Sequence, residues 1–297
     1  MCAARARVLA IACLLSVAPV ATVAAAAVAA TTVAATTVGA DAQPGWQAFP
    51  AGRPFPPLLA DPHEPGLGAE IVEAGLVSAR VGRYVGLVGR TRKGGWDTRL
   101  GVDALVWAWL DKLPGFNFPM ETVDGSFGLP AEAVKGPWGV RLRAGHLSSH
   151  YADGTINILK KRVTYTREMV SLLGSYDTAA RGGPARVYAG PAFYVHALPR
   201  TQSFSFQLGG QVCLPGGRME PSGARGRRLE PYAALDLKTR AENAYRVNQS
   251  YQLGAQLNGR SGRTIRLAAG YFHGVSERGQ RWRHAESEFS FGLFFGD

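Results

Sequence analysis

His146 and Ser148 stand two residues apart in a run that closes with Ser149 and His150, and a histidine beside a serine is a pairing that acyl-transfer chemistry uses. An imidazole takes the serine proton, and a third polar group orients the imidazole. Asp153, Asn157 and Glu168 follow closely enough to be that third group, Asp153 being the nearest. The candidate catalytic set is therefore Ser148 as nucleophile, His146 as general base and Asp153 as orienter. On a strand, residues two apart share a face at about 6.7 Å, from which side chains leaning together can meet. Metal binding by His146 and His150 is poor, because four residues of strand separate them by roughly 13 Å. Asp61, His63 and Glu64 also have ligand chemistry, yet they lie in a Pro-rich stretch. No metal or cofactor is expected.

The elements that must hold these residues are strands. Asn248, Ser250, Gln252, Gln256 and Asn258 alternate with Gln249, Tyr251, Leu253, Ala255 and Leu257. Ser203, Ser205, Gln207 and Gln211 oppose Phe204, Phe206, Leu208 and Val212, and Glu286, Glu288 and Ser290 oppose Phe289, Phe291, Leu293 and Phe295. A period of two places successive side chains on opposite faces of a sheet. Strand after strand has this form, with abundant glycine, as in a membrane barrel that turns apolar side chains to lipid and polar ones to a wet lumen. On that rule Arg141 and Arg143 face the lumen, and His146 and Ser148 face lipid. Polar groups there are costly unless paired or near the interface. A structural reading competes with the chemical one: His146, Ser148, Ser149 and His150 form a polar girdle bonded to loop backbone and lipid head groups.

Arg5 and Arg7 precede the apolar run Val8 to Val20, which has the form of a signal peptide. An Ala/Val/Thr tract continues to Val38, and Ala40-Asp41-Ala42 offers a cleavage site. Removal of residues 1–42 would leave Cys213 as the one cysteine, so no internal disulfide is expected. The formal charge is +11, from 33 Lys and Arg against 22 Asp and Glu. The arginines are scattered singly, whereas a nucleic-acid surface needs a contiguous stripe. Membrane lipid or lipopolysaccharide phosphate is the expected counter-charge.

Residues 43–66 carry seven prolines and read as an extended periplasmic lead-in. Beyond them, strands are predicted at 67–79, 83–92, 96–110, 117–128, 137–149, 159–176, 185–197, 203–214, 229–238, 247–259, 263–274 and 284–295. The expected fold is thus all-β, an antiparallel transmembrane barrel of about twelve strands over 67–297, in the outer membrane. Long loops should lie outside and short turns in the periplasm. Tyr151–Ile158, Thr239–Arg246 and Ser276–Arg283 obey this on the twelve-strand count, and Pro215–Arg228 does not.

Three segments resemble landmarks of a bacterial family, domain of unknown function 1207: Pro57 to Pro65 (PLLADPHEP), Arg141 to His150 (RLRAGHLSSH), and Tyr271 to Gly274 with Gly279 and Gln280. The likeness runs over nearly the whole mature chain and implies an outer-membrane barrel without supplying an activity. The family usually continues Leu-Gly-Asp-Glu after the histidine run, where this chain has Tyr151-Ala152-Asp153-Gly154. The His-x-Ser pair is also similar to that of outer-membrane phospholipase and lipid A deacylase barrels, which implies acyl-ester cleavage by Ser148 and His146. Ser149-His150 stands where the phospholipases have Asn-Gly, and no equivalent of the deacylase glutamate is fixed.

Arg99 and Asp103, Arg141 and Arg143, Asp236 and Lys238, and Arg266 and Glu288 fall on inward faces. Their mixed sign favours a plugged lumen over a selective pore. Tyr84, Trp96, Trp107, Trp109, Trp138, Tyr251, Tyr271 and Trp282 are candidate interfacial aromatics. The function expected is a structural or narrow-pore envelope barrel, with a lipid-acting serine esterase as the alternative.

Overall fold

A computed structural model describes residues 45–113, 117–152, 163–180, 183–215, 217–218, 228–258 and 263–296. Its strands are β1 (Gly45–Ala48), β2 (Leu67–Val72), β3 (Leu76–Thr91), β4 (Asp97–Asp111), β5 (Met120–Lys135), β6 (Trp138–Tyr151), β7 (Tyr165–Ala180), β8 (Gly183–Leu198), β9 (Phe204–Cys213), β10 (Gly217–Arg218), β11 (Arg228–Arg240), β12 (Val247–Asn258), β13 (Thr264–Val275) and β14 (Ala285–Gly296). Every pairing between them is antiparallel, and β3 bonds both β2 and β4, which closes the sheet into a barrel.

The wall has twelve positions, as the alternation predicts. Ten are single strands, and an eleventh is β9 with the two-residue β10, which bonds β11 beyond the end of β9. The twelfth is shared, because β4 occupies one edge of β3 while β2 and β1 bond different stretches of the other. Leu67 to Val72 pair with Val81 to Leu76, and Gly45 to Ala48 pair with Thr91 to Val88. Between the two halves the chain leaves the wall. Gly75, at φ +80°, supplies the left-handed residue that turns β2 into β3, so the strand predicted to run on to residue 79 ends at Val72.

The pleat sorts side chains as the period of two requires. Phe127, Leu129, Val195, Leu253, Phe289 and Phe291 point outward and are each more than half exposed, whereas Asp103, Glu132, Arg141, Asp236 and Ser149 point inward and are buried. Two aromatic rows border the outward apolar band. One joins Tyr251 to Tyr271 and Tyr271 to Phe289, with ring centroids 6.2 and 4.7 Å apart. The other includes Trp138 edge-on to Tyr176 at 4.7 Å. Tyr84, Trp107, Trp109 and Trp282 do not join them. Trp107 and Trp282 are buried within the barrel beside Leu105, Leu147 and Tyr165, with Trp109 packed against that cluster, and the Tyr84 ring lies 5.1 Å from the inward Arg53 guanidinium. Alternation turns Tyr84, Trp107 and Trp109 inward on their strands, and Trp282 reaches the interior from the 276–284 connection.

One end of the barrel carries the connections 112–119, 152–164, 199–203, 241–246 and 276–284; the other carries the two-residue connections 136–137 and 181–182. The stretch between β9 and β11, which holds β10, falls at this second end, so the strand count was sound and this long link does share an end with short turns.

Candidate functional site

The interior is occupied by the chain itself. The Pro-rich stretch expected as a lead-in outside the barrel instead enters the lumen over residues 50–65, where it meets inward side chains from around the wall. Proline explains the route: with seven of them between 43 and 66, this stretch cannot donate a continuous ladder and must be bonded by side chains. Arg186 donates to the carbonyl of Pro56, Gln211 to that of Pro57, and Arg99 to those of Ala51 and Gly52. Gln211 Oε1 in turn accepts the amide of Leu59 at 3.1 Å.

Apolar contacts anchor two points of this plug. Phe55 and Leu58 are buried against Leu173 of β7 and Tyr188 of β8, and Leu59 packs on Tyr232, Ala268 and Phe294 on the other side. The Phe55 ring lies under two guanidiniums, Arg141 at 4.8 Å and Arg186 at 5.4 Å. The ring and both cations are out of water there, the condition under which cation–π attraction is strongest.

Ion pairs fix the register. Arg53 Nη1 meets Glu64 at 2.5 Å within the plug, and its Nε meets Glu132 of β5 at 2.9 Å. Glu64 is also held by Arg141 of β6 at 3.1 Å. Asp61 is paired with Lys238 of β11 and accepts from Gln207 of β9 at 2.9 Å. Burial alone would raise the Asp61 carboxyl, but the Lys238 ammonium, with the backbone amide of His63 donating to Asp61 Oδ1, outweighs it and holds it below the ordinary carboxylate range. His63 stacks 5.0 Å from Trp107, and its Nε2 lies 3.2 Å from Glu277 Oε2. Burial pushes that imidazole down to about 3, ahead of the opposing pull of Glu277, so it is neutral and the approach is not an ion pair. Asp61, His63 and Glu64 thus bond three different parts of the barrel and do not converge as a ligand set.

The predicted lumen charges are inward, with partners the sequence did not disclose. Asp103 holds Arg143 at 2.6 Å, Asp236 stands 3.6 Å from Lys238, and Arg266 lies over the Phe294 ring at 5.6 Å. Glu288 pairs with Arg278 at 3.2 Å, not with Arg266.

At the long-loop end, residues 276–284 fold back over the mouth. The 3-10 turn Gly279–Arg281 places Gln280 so that its amide donates to Ser149 Oγ at 3.0 Å and its side chain to the carbonyls of Ser149 and Val163. Arg278 is fully buried, bonded to Glu286 at 2.5 Å and set 4.6 Å from the Trp109 ring. Glu242 receives Arg167 at 2.5 Å and the Tyr165 hydroxyl at 3.2 Å. Ser149 therefore belongs to the lumen and not to an outer girdle.

On the outer wall, His146 and Ser148 face outward from β6, as alternation required. Val140 and Leu142 precede them on that face, so the pair marks the border where apolar gives way to polar. His146 is stacked on Phe127 at 5.0 Å, and its Nδ1 lies 3.8 Å from Oε1 of Glu168, its direct cross-strand neighbour on β7. His196 of β8 approaches the same carboxylate oxygen at 3.9 Å, a residue that sequence reasoning had no signal to find. Ser148 is opposite Thr166, and among the described residues no hydrogen bond joins it to His146. Asp153 and Asn157 lie outside the described residues. Among the described residues, Glu168 is the candidate orienter beside the imidazole.

A family model described as Protein of unknown function (DUF1207) matches residues 124–296. No curated protein matches the chain. Among solved structures, the chain is similar to the β domain of the Bordetella autotransporter Brka, at 16% identity and TM-score 0.42, over 77% of this chain and 98% of that one. The NanC porin is similar at 13% identity and TM-score 0.41, over 78% of this chain and 100% of its own. The translocator domain of the autotransporter NalP from Neisseria meningitidis is similar at 11% identity and TM-score 0.38, over 77% of this chain and 87% of that one.

Proposed function

The chain belongs to the DUF1207 family of proteins of unknown function, and from that premise we propose that it is an outer-membrane barrel whose lumen is plugged by its own N-terminal segment, with a structural role in the envelope. One observation carries the plugged reading: residues 50–65 occupy the lumen and are paired with β5, β6, β8, β9 and β11. A membrane address is supported by the outward band, since a soluble protein rarely exposes so continuous an apolar surface. β3 to β9 and β11 to β14 run 10 to 16 residues, enough to cross, and closure of the sheet gives each of them a partner on both sides over part or all of its length. Exposed Arg200, Arg246 and Arg283 at the long-loop end are suited to lipid phosphate, including that of lipopolysaccharide. Ion current across a planar bilayer tests the plug. Intact protein should stay silent, and replacement of residues 53–64 by a Gly/Ser linker should open a conducting path. Steady current through the intact barrel would end the plugged reading.

A second reading, cleavage of acyl esters of membrane lipid, is favoured by the closeness of Glu168 to His146. Glu168 would orient the imidazole, His146 would take the hydroxyl proton as Ser148 Oγ attacked the ester carbonyl and would return it to the departing alcohol, and water would then cleave the acyl-serine to free fatty acid. A modest change of rotamer would have to bring Ser148 and His146 together. Purified barrel is offered phospholipid and lipid A, and free fatty acid is measured for the native chain, Ser148→Ala and Glu168→Gln. Release from neither substrate by the native chain eliminates this chemistry.

A further inference from the structure

The outer wall is not uniformly ridged. At the short-turn end of β6, β7 and β8 lies a groove of about 470 Å³, with Gly174 and Ala189 as its floor and Trp138, Val140, Val187 and Leu208 as its sides. Two small residues on neighbouring strands leave the backbone bare between large apolar side chains. Trp96 also lines the groove, and Trp138 with Tyr176 closes its rim edge-on at 4.7 Å.

Charge stands at the rim. Lys135 is exposed on the outward face of β5 and is the direct cross-strand partner of Trp138. The nearby carboxylate, Asp177, is already held bidentately by Arg186 at 2.5 and 2.6 Å, so Lys135 is not neutralised by it. An apolar trough ending in aromatic rings beside an ammonium matches an acyl chain, the interfacial ester region and a phosphate in that order.

We propose that this groove is a phospholipid seat in the membrane leaflet at the short-turn end, taking one acyl chain along Gly174 and Ala189 and the headgroup phosphate at Lys135. Such a seat presupposes the membrane address given above; a chain that stays dispersed without detergent fails that address before any lipid is scored.

The floor can be filled without harming the wall. A Cβ added at Gly174 would find its nearest atom, the Ala189 carbonyl oxygen, at 3.9 Å, an ordinary contact. Gly174→Leu therefore fills the trough while the strand pairing stands. Full-length protein in a mild detergent is titrated with palmitoyl-oleoyl phosphatidylethanolamine and with the matching diacylglycerol, and native mass spectrometry counts bound molecules. The native chain should hold one phospholipid. Gly174→Leu should lose it by about tenfold or more in affinity, and Lys135→Gln should weaken phospholipid several-fold while leaving diacylglycerol unchanged. Equal binding by the native chain and Gly174→Leu, or no bound phospholipid at all, overturns the seat. Mass doubling that Gly174→Leu abolishes overturns it too, because the occupant is then a second copy of the chain.

Discussion

Glu64 Oε2 lies 3.1 Å from Arg141 Nη1 across 77 residues of chain, and the same carboxylate is shared with Arg53. The pair joins the plug to the wall at a point where both side chains are 7% exposed. Removing one partner from such a pair leaves a buried charge uncompensated, which costs far more than the pair itself contributes. Arg141→Ala is expected to lower barrel stability by about 3–5 kcal/mol. Adding Glu64→Gln should restore part of it. Unfolding in denaturant with the protein in detergent checks both, and an unchanged midpoint for Arg141→Ala would contradict the latch.

Phe55 is fully buried between two guanidiniums and the Leu173–Tyr188 surface. Truncating a buried aromatic to alanine costs about 3–5 kcal/mol through lost transfer energy and the cavity left behind. Phe55 sits on the plug and not in the wall, so the loss should appear as local release. Phe55→Ala is expected to make residues 50–65 accessible to protease while the barrel remains folded. Cleavage at the native rate would show that the ring does not hold the plug.

Acid should loosen the same segment. The folded His63 value of about 3 lies below the free imidazole value near 6.5. As pH falls below 6.5, the released plug binds a proton that the seated plug refuses, which favours release. Asp61 and Glu277 lie below their ordinary carboxylate values, so the stability they contribute is present above those values and is lost as pH falls further. Burial opposes this lowering in both, and Lys238 for Asp61 and Arg240 for Glu277 overcome it. All three effects have one sign. Plug release, followed by protease access or by bilayer current, should rise between pH 6.5 and 3, and His63→Phe should remove the portion nearest neutrality. A flat profile would refute this.

Gly279 packs tightly against the wall at the mouth. A Cβ there would fall 2.4 Å from Ser149 Cβ and 2.5 Å from a ring carbon of Tyr165. Neither neighbour can yield easily, so Gly279→Val should lift residues 276–284 and break the bonds of Gln280 to Ser149. Faster hydrogen exchange across 276–284, with the strands unchanged, is the expected readout; native protection would show that the loop tolerates the side chain.

Alternation in the amino-acid sequence settled the number of wall positions, the inward set of amides and charges, and the outward direction of His146 and Ser148. These follow from local geometry, because a period of two assigns faces without knowledge of partners. Trp107 and Trp109 share the parity of inward Arg99 and Asp103, so alternation itself placed them inside and only their residue type suggested the interface. Partner identity was beyond reach. Register with β7 set Glu168 opposite His146, and His196 became visible through a third strand.

The fate of residues 50–65 was likewise decided by tertiary structure. Their prolines ruled out a continuous ladder, and the sequence determined that much. Whether a segment without a ladder trails into water or fills a lumen depends on side chains supplied by strands up to 177 residues away, here Lys238 for Asp61. Buried charges are stable only when paired, and that pairing exists only once the barrel has closed around them.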